Sequence, residues 1–536
     1  MAAAAGAAAL PRLGASTAEA TVPPSRPPAL PPQGTFELED ATITQLVTWM
    51  RQGRYTSRTI TELYLRRISD LNTEGPHLRA VIESNPDALD VAGRLDDERR
   101  AGHERGPLHG VPILVKDNLD SADRMHTSAG SLALGPSVAP RDSFVVARLR
   151  AAGAVILGKT NMSEWANFRG KRSISGWSAR GGQCRNPYVL DRQPSGSSSG
   201  SAVAAATSMC AAAIGTETDG SITSPANMCS LVGIKPTVGL VSRAGIIPIS
   251  SSQDTAGPLA RTVADAAILL GAITGEDPRD RATRGSAARG STDYTSFLDP
   301  RGLSGVRLGI ARKRYAGQHF KVDRVFEEAL GVLRAQGAVL VDNVDLVTED
   351  HLDDAETTVL YYEYKVGLNA YLAALGPDAP VKTLADIIAF NEQHADVELA
   401  TFGQEHMIAA QAKGPLTSTI YRNARARCVR WSRTMGIDAV MRQHRLHALV
   451  CPTSLPARTI DPVMGDSGGG DCTTPAAVAG YPHVTVPMGY VDGLPVGLSF
   501  FGSPWTEGRL IRCAHAFEQA HPARHVPQYQ ATIEVR

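Results

Sequence analysis

Residues 195–202 read SGSSSGSA and residues 215–225 read GTETDGSITSP. Glycine and serine on their own suit a flexible linker. Between the two strings, however, runs VAAATSMCAAAI, a stretch so apolar that it must be buried. A linker does not sit between two core elements. The pattern predicts a helix of small residues over 200–211, with 212–215 leading into the second string and a short helix over 222–229 after it. Cys210 and Cys229 fall in these small or apolar runs and read as core residues.

Working outward, helix and strand signals alternate. The continuous apolar run 111–115 reads as a strand buried on both faces, with Pro112 near its start and Lys116 at its end. A helix is predicted over 143–152, stopped by Gly153, and a strand over 154–158. Upstream, helices are predicted over 42–50, 59–71 and 85–102. Downstream come a strand at 307–311, a helix at 322–336 and a strand at 338–341. Strands at 483–487 and 495–501 are joined across Asp492-Gly493. Residues 36–525 thus read as one large α/β domain. Residues 346–433 carry helical signals (355–371, 384–390) without strand signals, and predict a helical region that shapes the substrate site.

Composition narrows the function. Of 536 residues, 54 are Lys or Arg and 54 are Asp or Glu, a balance that favours neither nucleic acid nor an anionic membrane. Seven scattered cysteines without CxxC spacing argue against a zinc site or a disulfide framework. Residues 1–35, rich in Ala and Pro, read as a disordered leader or signal remnant, so that a cytoplasmic and an exported protein are both open. The expected partner is a small-molecule or peptide substrate, with no nucleic acid, membrane, metal or organic cofactor. A monomer and a homodimer fit equally.

Two serines, Ser197 and Ser221, offer nucleophilic chemistry. A nucleophile elbow is one reading, since residues 196–200 match G-x-S-x-G around Ser198. That motif needs a preceding strand, and residues 186–194 (NPYVLDRQP) are polar and Pro-bounded; His483 and His515, its candidate bases, lack a distinctive context. The reading favoured here uses both strings. The backbone N–H groups around Thr218, Asp219 and Gly220, at a turn before a helix, form a cradle for an oxyanion. Ser221 then attacks a carbonyl, and its proton passes through Ser197 to Lys116. Burial at a strand end suits that lysine to act as a base, because desolvation disfavours the ammonium.

On these residues the chain resembles the amidase signature family. Besides the two serine strings, GVPILVKD (110–117), GKTN (158–161), GIKPTVG (233–239) and LPVGL (494–498) match, and the likeness runs over residues 42–520. The resemblance implies an amidase-signature fold: a large mixed β-sheet core covered by α-helices on both faces. It also implies a Lys116–Ser197–Ser221 triad supported by Ser198 and Thr216, and a cis peptide before Ser197. Three letters depart from the family: Glu217 for Asp, Thr223 for Arg and Asp219 for Gly. The Asp–Arg support behind the nucleophile is therefore expected to be rebuilt. With residues 163–182, these departures look like bacterial peptide amidases, which release ammonia from peptide C-terminal amides. Trp165 and Trp177 are candidates for that pocket, or else core aromatics. The alternatives are the glutamine-hydrolysing subunit of a tRNA-dependent amidotransferase, an aryl or aliphatic acylamidase, and an inactive binding homologue.

Overall fold

Eleven strands form one mixed sheet in the computed structural model, which describes residues 36–342, 344–346, 349–466 and 470–534. The leader expected at 1–35 lies outside the described residues. The first strands are β1 (Val81–Ser84), β2 (Pro112–Lys116) and β3 (Val155–Thr160), followed by a small separate pair, β4 (Trp177–Ser178) and β5 (Gly182–Gln183). Next come β6 (Ala212–Glu217), β7 (Val232–Lys235) and β8 (Thr255–Ala260), then β9 (Arg307–Ile310) and β10 (Val339–Val341). β11 (Ala448–Pro452), β12 (His483–Val491) and β13 (Leu494–Phe501) complete the set. Across the sheet the order is β1-β3-β2-β6-β8-β7-β12-β13-β11-β9-β10.

The apolar run ending at Lys116 is a strand because every residue of β2 is buried, which β-branched and aliphatic side chains satisfy on both faces. It runs parallel to β3 and to β6, with Val115 opposite Ile214. Two neighbouring parallel strands therefore end side by side, at Lys116 and at Glu217. The crevice beyond such strand ends is where open α/β sheets place ligands. The helix Ser199–Ala206 packs over this junction, and Ser201 Oγ donates to Ile214 O at 3.0 Å.

Boundaries differ from the sequence reading in physically clear ways. The small-residue helix stops at Ala206, short of 211, because Ala212 onward is drawn into pairing with β2 and β8. The helix expected over 59–71 is Ser57–Ile68, whose Thr56 cap accepts from Thr59 N, and it closes in a π-turn over Ser69–Thr73. The hairpin strand β12 continues to Val491, past a bulge near Gly489. All seven cysteines are free and buried.

Gly200 shows how tightly the first serine string is seated: a Cβ there would lie 2.1 Å from Ala80 O and 2.5 Å from Asn161 O, both backbone atoms. Gly200→Ala is expected to destabilise the protein by about 1–3 kcal/mol, the usual range for overpacking, read from denaturant unfolding.

Residues 353–429 form a helical layer, with a 22-residue helix Asp353–Ala374 packed on Glu405–Gln411 and Thr419–Val429. It joins the sheet core through a cluster of Met162, Trp165, Ile247, Ile249, Tyr364 and Leu368. No helix among the described residues is long and apolar enough to cross a membrane.

Candidate active site

Lys116 is fully buried, and its Nζ lies 2.7 Å from Ser197 Oγ, 3.0 Å from Ser198 Oγ and 2.9 Å from Thr216 Oγ1. Its hydrogen-bond partners are hydroxyls and the Thr216 carbonyl, with no carboxylate among them. Burial lowers its ammonium from the ordinary value to about 7, against the opposing pull of Asp254 and Glu217. Asp117, the next residue, turns away and accepts from Gly130 N at 2.9 Å.

The Gly196–Ser197 peptide is cis. Ser197 is buried at the entry to the helix Ser199–Ala206. Ser198 is bound on both sides, donating to Thr216 O at 3.0 Å and accepting from Thr216 N at 3.2 Å. It is a strut between the two strings. No strand precedes it, and His483 sits in β12, held to Ser499 Oγ at 2.6 Å.

Ser221 opens the turn before the helix Thr223–Met228, and its carbonyl accepts from Ser198 N at 3.2 Å. Gly220 takes φ +75°, the left-handed region in which a side chain is strained. Glu217 shapes this turn: its Oε2 accepts from Ile222 N at 2.8 Å, Thr223 N at 2.9 Å and Thr223 Oγ1 at 3.2 Å. The expected Asp–Arg support is thus rebuilt as a carboxylate–threonine pair. Among the described residues no protein acceptor takes the amides of Thr218, Asp219, Gly220 or Ser221. Four amides in succession thus have no partner in the protein among the described residues.

These residues wall a cavity of about 300 Å³ that also touches Asn167, Phe168, Gln193, Ser195 and Arg458. Asp219 Oδ2 accepts from Thr474 Oγ1 at 2.7 Å, and burial lifts its carboxyl to about 6. A larger cavity of about 400 Å³ adjoins through Ala166, Thr218 and Ile249 and reaches Asn118, Arg243 and Tyr371. Trp165 and Trp177 line neither cavity. Trp165 is 1% exposed in the core cluster, and Trp177 packs edge-on against Phe402 beneath the Arg169 guanidinium. The wall is made instead by Ala166, Asn167 and Phe168, the loop that follows Trp165.

Asp254 escaped sequence reasoning. It immediately precedes β8, whose Thr255 pairs with Glu217, and accepts from Thr218 Oγ1 at 2.6 Å. Only the pairing of β8 with β6 reveals it.

The sheet carries a buried lysine against a serine at its strand ends, and the amidase family model matches residues 59–511. The chain belongs to the amidase family and is a hydrolase acting on amides. It is 51% identical to the peptide amidase of Stenotrophomonas maltophilia, whose crystal structure superposes with a TM-score of 0.89 over 92% of this chain and 99% of that one. It is 43% identical to a probable amidase of Arabidopsis thaliana over 93% of each chain, so the likeness is not confined to bacteria. It is also 36% identical to a glutamyl-tRNA(Gln) amidotransferase subunit from Symbiobacterium thermophilum, over 88% of this chain and 96% of that one.

Proposed function

We propose that this amidase hydrolyses C-terminal carboxamides of peptides and releases ammonia, through an acyl-enzyme on Ser221. The observation that carries the reading is the buried Lys116 amine 2.7 Å from Ser197 Oγ, beneath a cavity that Ser221 lines. Ser221 Oγ attacks the amide carbonyl. Its proton passes to Ser197 as Ser197 gives its own to Lys116, and the amides from Thr218 to Gly220 hold the oxyanion. The return proton travels from Lys116 through Ser197 to the departing nitrogen, and the C–N bond breaks. Water then attacks the ester by the same relay, freeing the carboxylic acid and Ser221.

Support for a peptide acyl group comes from the 51% identical peptide amidase, for which chymostatin is a competitive inhibitor. A nucleophile cavity lined by Ser175, Gln193, Ser195 and Arg458 offers polar partners to a peptide backbone.

Ammonia or amine release by the purified chain, measured across peptide amides, aliphatic amides and acyl-anilides, tests the reading. Peptide amides are expected to turn over fastest, and a fluorophosphonate is expected to label Ser221. Release from glutamine that requires an added partner would instead assign an amidotransferase component. Turnover of anilides alone would assign an acylamidase.

A further inference from the structure

The segment 249–254 lies between the long helix Asp353–Ala374 and the loop that carries Thr218, and it is bonded to both. Toward the helix, Glu363 Oε2 accepts from Ser250 Oγ at 2.6 Å and Ser252 N at 2.9 Å, while its Oε1 accepts from Ser252 Oγ at 2.5 Å and Tyr421 O–H at 2.6 Å. Gln253 Nε2 donates to Glu356 Oε1 at 2.7 Å. Toward the loop, the same Gln253 Nε2 reaches Thr218 O at 3.3 Å. Asp254 accepts from Thr218 Oγ1 on one oxygen, and from Ile249 N and Ser250 N, both at 2.8 Å, on the other.

Thr218 is therefore gripped at its side chain and at its carbonyl, and its own amide and the next three have no acceptor in the protein among the described residues. A loop whose amides must point at a developing charge works only if its backbone is held in advance, since reorientation during the reaction forfeits the stabilisation. Asp254 is suited to this because its three accepted bonds leave it one placement. An asparagine could keep its oxygen on Ile249 N and Ser250 N only by presenting its N–H group to Thr218 Oγ1, which would reverse the direction of that bond.

We propose that Asp254 is a positioning residue for amide hydrolysis: with Gln253 it holds Thr218 so that the amides of Thr218, Asp219 and Gly220 converge on the oxyanion, and it ties that loop to the helical layer. This rests on the reading that those amides form the oxyanion hole.

The test compares Thr218→Val, which keeps the shape and removes the donor, with Thr218→Ser, which keeps the donor, and with Asp254→Ala. Turnover of the best amide and the rate of labelling by a fluorophosphonate are measured together with the melting temperature. Thr218→Val and Asp254→Ala are each expected to lower kcat by about 10- to 100-fold, with KM changed less than about threefold. Labelling should slow in step. Thr218→Ser should recover most of the loss. The double variant Thr218→Val/Asp254→Ala should be no slower than the worse single one, because Asp254→Ala already removes the interaction that Thr218→Val deletes. Wild-type kcat in Thr218→Val, a loss carried by KM alone, or losses that multiply in the double variant would each overturn the proposal. Should Asp254→Ala fail to fold, the Thr218 pair decides. A wild-type chain that resists the fluorophosphonate at Ser221 would instead sink the nucleophile assignment, a separable failure.

Discussion

Replacing Lys116 by methionine is expected to cut kcat by about 10²–10⁴-fold, the contribution of a positioned general base, while the protein remains folded. Methionine preserves much of the length of the side chain and none of its basicity. The hydrogen-bond partners of Nζ are Ser197, Ser198 and the Thr216 hydroxyl and carbonyl, so the change strands no buried carboxylate. The wild type carries its own signature. With a lysine near 7, kcat/KM should fall about tenfold per pH unit below about pH 7 and level off above it. Stability follows from the same shift. Between about 7 and the ordinary 10.5 the unfolded chain holds a proton on Lys116 that the native chain has released, so wild-type stability rises with pH across that window. Lys116→Met removes this slope, and urea unfolding at pH 7 and pH 10 should show the variant gaining on the wild type at the lower pH. A flat kcat/KM between pH 5 and 8, or more than a tenth of wild-type turnover in Lys116→Met, would show that the base lies elsewhere.

What was legible in the sequence was local. Lys116 closes an apolar run, and the serine strings flank a stretch too apolar for a linker; each pattern needs only its own few residues. Ser198, picked out by the G-x-S-x-G spacing, lost its claim on local grounds too, since no strand precedes it. β8 was hidden for a physical reason. Its sequence TAGPLA carries glycine and proline, which weaken a strand signal, yet Gly257 is needed because a Cβ there would lie 2.0 Å from Ile234 O. With β8 unseen, nothing in the sequence drew attention to Asp254, whose partner Thr218 follows the neighbouring strand β6. Glu217 was legible as a departure, but its three bonds to Ile222 and Thr223 were not, because a turn geometry decides them. The tryptophans mark the remaining boundary: an aromatic near a site motif lines the cavity or packs beneath its wall, and only tertiary contacts separate the two.

Arg169→Met is expected to cost about 3–5 kcal/mol of stability, the usual range for removing one partner of a buried ion pair. The guanidinium is fully buried, with Nη1 on Glu164 Oε1 at 2.5 Å and Glu398 Oε2 at 3.3 Å, and Nη2 on Phe402 O at 2.9 Å. The Phe402 and Trp177 rings lie 4.0 and 5.0 Å from its centre. Glu398 reaches back to the sheet side through Ser131 Oγ and Leu132 N, and Glu164 accepts from Ala179 N, so one cation joins the helical layer to the cavity wall. That wall is held in an unfavourable shape: Trp165, Ala166 and Asn167 take φ of 49°, 56° and 72°, at about 1–2 kcal/mol for a residue with a side chain. Losing Arg169 leaves two buried carboxyls facing each other. Burial and the Glu398 charge already hold Glu164 well above the ordinary carboxyl range. Without the Arg169 charge Glu164 binds a proton still more readily in the native state, which favours folding at low pH and loses that advantage as pH rises. The cost in Arg169→Met should therefore be smaller at pH 5 than at pH 8, and a further Glu398→Gln should return part of it. KM should rise in the folded fraction, because Ala166, Asn167 and Phe168 line the cavity. A loss below about 1 kcal/mol at both pH values, which is the worth of an exposed pair, would mean that packing alone holds the wall.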